Sequence, residues 1–291
     1  MSADADTWLS CLERKPNAKY RLVYFAWSGN RCGRGSDCDA RKPTSWSSLS
    51  VFFEVWEVLL PGRGRRMAEP CASDVSSLTV PLARAIQHTI CNGPQPFVFV
   101  GFSFGAILAH EVAIVLGTVP IDRSLGVCTA ELRDVSKKRP LLVVAVGCAG
   151  PAWDGRHSTS YHVLSDEDFI DELRRRGGTE ELLAMPELLP MFLPVVRADV
   201  ALEETYTPDP AHRSPVPVLA IHGAREGPRA GDTLVTVEDA RLWLGATDNA
   251  ASCVVTLDGF DWFLLETEAG ARAVLDEVER CLIRLYSWAI G

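Results

Sequence analysis

Short apolar runs alternate along the chain with longer stretches whose apolar residues recur at helical spacing. Tyr20 to Trp27, Val55 to Leu60, Pro96 to Phe102, Leu141 to Gly147, Val216 to His222 and Ser252 to Leu257 are rich in β-branched and aromatic residues. Each ends at Gly, Pro or polar positions, the signature of strands buried on both faces. Between them Val75 to Cys91, Phe104 to Leu116, Val237 to Leu244 and Glu266 to Tyr286 predict helices. Strand alternating with helix predicts an α/β fold, a mostly parallel sheet with helices on both faces.

Two stretches break the rhythm. From Ser165 to Tyr206 the pattern is helical with no intervening strand. Ser165 with Asp166, Glu167 and Asp168 reads as a helix start, Arg174 to Arg176 with Gly177 and Gly178 as a stop, and Thr179-Glu-Glu181 as a second start. Such an insertion between core strands is expected to form a helical lid, spanning about 152–208, on a single domain of residues 1–291. The second stretch, Asn30 to Lys42, is rich in Arg, Gly, Ser and Asp and predicts an exposed loop.

Composition narrows the class. The 291 residues are 47% hydrophobic and 23% charged, with a formal net charge of −9, which suits a globular protein and argues against nucleic acid as a partner. No uninterrupted apolar run reaches the roughly 18 residues of a membrane span. The first 19 residues lack the layout of a signal peptide, so a cytoplasmic chain is expected. Nine cysteines are scattered, with Cys32 and Cys38 the only close pair and no CxxC. Reduced thiols are therefore expected, with neither a metal site nor a cofactor.

Gly101-Phe102-Ser103-Phe104-Gly105 fits G-x-S-x-G between an apolar strand and a helical pattern. A sharp strand-to-helix turn there lifts a serine hydroxyl above the sheet, and glycines are needed because side chains would strike neighbouring backbone. Acyl transfer at Ser103 requires two N–H donors for the developing oxyanion. Phe104 supplies the first, and Trp27, in the turn after the Tyr20 strand, is the expected second.

These blocks resemble a known family. RLVYFAWSGN (21–30), LPGRGRRMAEP (60–70), FVFVGFSFGAILAHEVA (97–113), YHVLSDEDFIDELRRRGGT (161–179), MFLPVVRADVALEETY (191–206) and GFDWFLLE (259–266) follow in order the blocks of type II thioesterases. The start, from Trp8 to Trp27, is similar to the medium-chain or oleoyl-ACP thioesterases as well. The resemblance implies an α/β-hydrolase fold and release of acyl chains from the phosphopantetheine arm of an acyl carrier protein, or from CoA. Possible partners are then fatty-acid, polyketide or nonribosomal peptide synthases. It places Ser103 as nucleophile and Phe104 with Trp27 as oxyanion donors. Phe102 and Phe104 stand where the family usually has histidine and methionine. Arg63 of the LPGR block reads as a solvated arginine beside the site, and His162 as a hydrogen-bonded lid histidine. Arg63, Arg65 and Arg66, or Arg174 to Arg176, are candidates for docking an acidic carrier protein.

The departure lies in the last block. Asp261 occupies the position of the family's catalytic histidine, and none of the six histidines follows His222. A serine hydroxyl needs a base of matched pKa, help typically worth ~10²–10⁴ in rate. Desolvation among Phe102, Phe104, Phe260 and Trp262 would raise the pKa of Asp261 toward usefulness. Alternatively His222 or His157 swings in. The family acid falls on Asp232 or Glu226, with Asp232 favoured by its spacing to the helix that starts at Val237. Two functions follow: an acyl-thioester hydrolase working through a Ser103 acyl-enzyme, or a catalytically impaired relative that binds acyl chains or carrier protein. An esterase on the same scaffold is a third.

Overall fold

The structure, a computed structural model, describes residues 5–29, 51–118, 139–158, 160–177, 180–224 and 235–286. In chain order its regular elements are α1 (Ala5–Trp8), β1 (Leu9–Cys11), β2 (Tyr20–Phe25), β3 (Phe53–Val58), α2 (Ser76–Thr89), β4 (Phe97–Phe102), α3 (Phe104–Thr118) and β5 (Val143–Val146). There follow α4 (Asp166–Arg176), α5 (Glu180–Leu183), α6 (Leu189–Thr205), β6 (Val218–Gly223), α7 (Val237–Arg241), β7 (Cys253–Leu257) and α8 (Glu268–Tyr286). Short 3₁₀ turns punctuate them.

The strands form one sheet in the order β1-β3-β2-β4-β5-β6-β7. All neighbours are parallel except β1, which pairs antiparallel with β3. The predicted strands and helices appear within a few residues of their expected places. β1 was not among them, because three residues are too short to display a period. The loop at 30–42 and the Cys32/Cys38 pair lie outside the described residues.

Strand β4 is buried throughout. Its alternate side chains serve two separate apolar layers, as a strand covered on both faces must. Phe97 and Phe99 pack with α2, α3 and Trp243 on one face. Val98, Val100 and Phe102 pack with α8 on the other. Between β5 and β6 the helices α4, α5 and α6 carry a small core of their own, made by Phe169, Leu173, Leu182, Leu193, Val196 and Val200. Its starts and stops follow local chemistry. The Ser165 hydroxyl accepts from the Asp168 N–H at 3.1 Å, and Gly177 ends α4 at φ 79°. Among the described residues no helix is long and apolar enough to cross a membrane.

His110, on α3, is buried against the edge of the Trp243 ring, 5.4 Å between centroids, and its Nδ1 has no hydrogen-bond partner among the described residues. Desolvation lowers its pKa from 6.5 to about 4, so the native state holds it neutral while the unfolded chain protonates it between those values. Stability from this group is therefore full above pH 6.5 and is lost as the pH falls toward 4. In urea titrations, wild type is expected to lose about 3 kcal/mol relative to His110→Gln between pH 7 and pH 4; parallel pH profiles for the two proteins would refute the assignment.

Candidate active site

β4 ends at Phe102 and α3 begins at Phe104, leaving Ser103 alone at the corner. Ser103 has φ 52°, the one non-glycine residue with positive φ among the described residues. That conformation costs roughly 1–2 kcal/mol for an L-residue and is held on both sides. The Ser103 N–H donates to the Val146 carbonyl at 3.0 Å, and the Ala106 N–H donates to the Ser103 carbonyl at 2.8 Å. A methyl at Gly101 would collide with the backbone of Ala106, and one at Gly105 with the carbonyl of Phe25. The glycines therefore do what the pentapeptide predicted. Ser103 itself is buried, 8% exposed.

Close packing of Gly105 under Phe25 and Ala26 brings the turn after β2 beside the elbow. Trp27 lies in that turn, half-buried, its indole N–H donating to Glu266 Oε1 at 3.1 Å. Gly29, at φ 85°, ends the turn, and its N–H donates to Asp199 Oδ2 at 2.8 Å. Asp199 is held by a two-pronged pair with Arg63, at 2.8 and 2.6 Å. Both partners are buried. Burial alone would lower the Arg63 pKa; the Asp199 carboxylate more than offsets it and raises the value. Arg63 is thus not the solvated arginine its loop suggested. It is a buried cation whose partner carboxylate also accepts from the turn.

The block with Asp261 packs against the same corner. Trp262 lies 4.7 Å from Phe102 and 6.4 Å from Trp27, centroid to centroid, and its indole N–H donates to the Gly147 carbonyl at 2.7 Å. Side chains at Gly147 or Gly223 would intrude on this packing, since a Cβ at Gly223 would fall 2.5 Å from the Asp261 carbonyl oxygen. The Asp261 side chain is half-buried, and its Oδ1 accepts from the Phe263 N–H at 2.9 Å, fastening the turn that leads into α8.

The alternative histidines are engaged elsewhere. His222, at the end of β6, meets the Val235 carbonyl through Nε2 at 2.9 Å, while its buried Nδ1 has no hydrogen-bond partner among the described residues. His157 meets the Glu204 carbonyl through Nδ1 at 2.9 Å. His162 pairs with the Glu204 carboxylate at 2.5 Å, the hydrogen-bonded histidine expected of that block. Asp232 and Glu226 lie outside the described residues. Ser103, Phe104, Trp27 and the loop bearing Asp261 are therefore gathered at one corner, whereas His222 and His157 are tied to backbone carbonyls of their own surroundings.

Several polar residues at this corner had no sequence-based role. Asp199 lies in the 191–206 block, which carries no assigned role of its own. Glu203, one helical turn later, accepts from the Ser28 hydroxyl at 3.4 Å and faces Arg156. Burial raises the pKa of Glu203, with Arg156 pulling it back down. The spacing of Val196, Asp199 and Glu203 on one face of α6 was the available signal, because Val196 also touches Gly29. Of the arginines considered for docking, Arg66 is buried as well, stacked on Trp8 and donating to the Leu59 carbonyl at 2.9 Å. Arg65 donates to the Leu9 carbonyl at 2.8 Å. Arg174 and Arg175 are exposed and paired with Asp171 and Glu172 on their own helix.

A seven-stranded sheet with one antiparallel edge and a serine on a tight strand-to-helix corner defines an α/β hydrolase. The chain belongs to the alpha/beta hydrolase family, whose model matches residues 32–280. Within it the similarity is to thioesterases. Thioesterase PikA5 of Streptomyces venezuelae is 29% identical over 227 residues, covering 78% of this chain and 71% of that one. The human medium-chain S-acyl fatty acid synthase thioesterase is 26% identical over 280 residues, 94% of this chain and 91% of its own. The solved structure of RedJ, a thioesterase from the prodiginine pathway of Streptomyces coelicolor, superposes with a TM-score of 0.69 at 25% identity, covering 94% of each chain.

Removing one member of a buried pair strands the other charge, which typically costs 3–5 kcal/mol. Arg63→Met is expected to lose about that much in urea denaturation, and Arg63→Met with Asp199→Leu to recover part of the loss. A double variant as unstable as the sum of the two single variants would show that the two side chains do not act as a pair.

Proposed function

We propose that the protein is a type II thioesterase that hydrolyses acyl thioesters of a carrier protein or CoA through an acyl-enzyme on Ser103. The observation that carries the reading is Ser103 at φ 52° between two tightly packed glycines, an arrangement whose strain has a use if the hydroxyl must face a substrate. In this reading the hydroxyl oxygen attacks the thioester carbonyl, and the Phe104 and Trp27 backbone N–H groups receive the oxyanion. The tetrahedral intermediate collapses with loss of the substrate thiolate. Water then releases the acid and regenerates the serine. The helices α4 to α6, within the stretch 152–208, serve as a lid over the acyl chain. The partner is a phosphopantetheine-bearing carrier protein of a fatty-acid, polyketide or nonribosomal peptide synthase, consistent with what its relatives are named for.

Base assistance is assigned to Asp261, supported by its place in a loop packed on Phe102, with Asp232 favoured over Glu226 as the supporting acid. Thioesters tolerate a weaker base better than amides do, because a thiolate departs without being protonated. A second reading, an impaired relative that binds acyl chains or carrier protein, is favoured by the hydrogen bond that commits Asp261 Oδ1 to the Phe263 N–H.

Incubation with a fluorophosphonate probe followed by intact-mass analysis is expected to add one adduct, absent in Ser103→Ala; failure to label over a broad pH range would favour the binding reading. Asp261→His is expected to raise hydrolysis of medium-chain acyl thioesters by about 10²-fold or more. No gain in a folded variant that still labels would place the working base elsewhere.

A further inference from the structure

On the side of the sheet away from α3, β7 and α8 enclose a surface cavity of about 100 Å³ lined by Leu219, Cys253, Val255, Cys281, Arg280 and Arg284, together with Glu277. Two thiols meet there. The Arg284 guanidinium approaches Cys253 Sγ at 3.1 Å and, through the same nitrogen, Cys281 Sγ at 3.6 Å. Sharing that one nitrogen, the two sulfurs face the same point between the strand and the helix. They come from opposite elements, Cys253 from the first residue of β7 and Cys281 from the interior of α8. Their environments differ: Cys253 is partly exposed and Cys281 buried.

We propose that Cys253 and Cys281 form a peroxide-sensitive dithiol that closes to a disulfide across β7 and α8. The Arg284 guanidinium sits against the Cys253 sulfur, and Cys253 is the more accessible of the two thiols, so peroxide meets it first, since oxidation of a cysteine depends on its access. The Cys253 thiolate attacks one oxygen of hydrogen peroxide, breaking the O–O bond; the departing hydroxide takes a proton to become water, and Cys253 becomes a sulfenic acid. Cys281 then attacks the Cys253 sulfur, forming the S–S bond and expelling the sulfenic oxygen as a second water, which takes up the Cys281 proton. Two thiols are oxidised and one peroxide is reduced. Burial raises the pKa of the Cys281 thiol, which suits a resolving partner that reacts once the sulfenic acid is beside it. The bridge ties the strand that enters the Asp261 loop to the helix that leaves it. The site is independent of the hydrolase reading, since it uses no residue of the serine corner.

The test is peptide mapping of the full chain without reduction, after hydrogen peroxide treatment. A linked Cys253–Cys281 peptide is expected in wild type. Cys281→Ser should instead leave a sulfenic acid at Cys253 that dimedone traps, and Cys253→Ser should give no dimedone adduct at Cys281. Arg284→Gln should slow disulfide formation several-fold. Phenylarsine oxide, which bridges adjacent thiols, should protect both cysteines of the untreated protein from iodoacetamide. Recovery of both cysteines as separate thiols after peroxide treatment, or linkage of either to a different cysteine, would overturn the proposal.

Discussion

The buried pair of Arg63 with Asp199 is the joint on which the serine corner depends. Three segments far apart in sequence converge on it: the loop after β3, the helix α6 of the insertion, and the turn after β2 through the Gly29 N–H. Each carboxylate oxygen of Asp199 meets a guanidinium N–H, and one of them also meets the backbone N–H. A charge pair taken out of water is stable only when its hydrogen-bonding capacity is used in this way. The constraint fixes the turn that carries Trp27 by means of a helix that is not part of the sheet. Val196 reinforces it by filling the space beside Gly29, where any larger residue would have to push its methyls aside.

A second set of interactions faces the first across the elbow. Phe102, Trp27 and Phe263 each pack against the ring of Trp262, and the indole N–H groups of the two tryptophans are spent on Glu266 and the Gly147 carbonyl. This fixes the loop of Asp261 by apolar packing and leaves its carboxylate to a local backbone bond.

The alternation of strands and helices was legible because both faces of the sheet are covered, so the buried strands read as continuous apolar runs. The elbow was legible because its demands are steric and local, written in Gly101, Ser103 and Gly105. Arg63 was misread for a physical reason. A charged residue in a Gly/Arg-rich loop looks solvated unless its partner is known, and Asp199 lies 136 positions away. Glu203 was hidden for the same reason, since its contact with Ser28 crosses the insertion. The parallel register could be anticipated as a class. The antiparallel pairing of Leu9 to Cys11 could not, as so short a segment owes its shape to the β3 edge it covers.

The left-handed serine has an effect on folding as well as on the site. Every molecule that folds must place an L-residue in a conformation that glycine would adopt without cost, and must do so at the centre of the sheet, where β4 passes into α3. The corner is held by Val146 on the neighbouring strand and by Ala106 in the helix, so it exists only where all three elements are packed together. The orientation of Ser103 is thus a product of the completed packing of β4, β5 and α3.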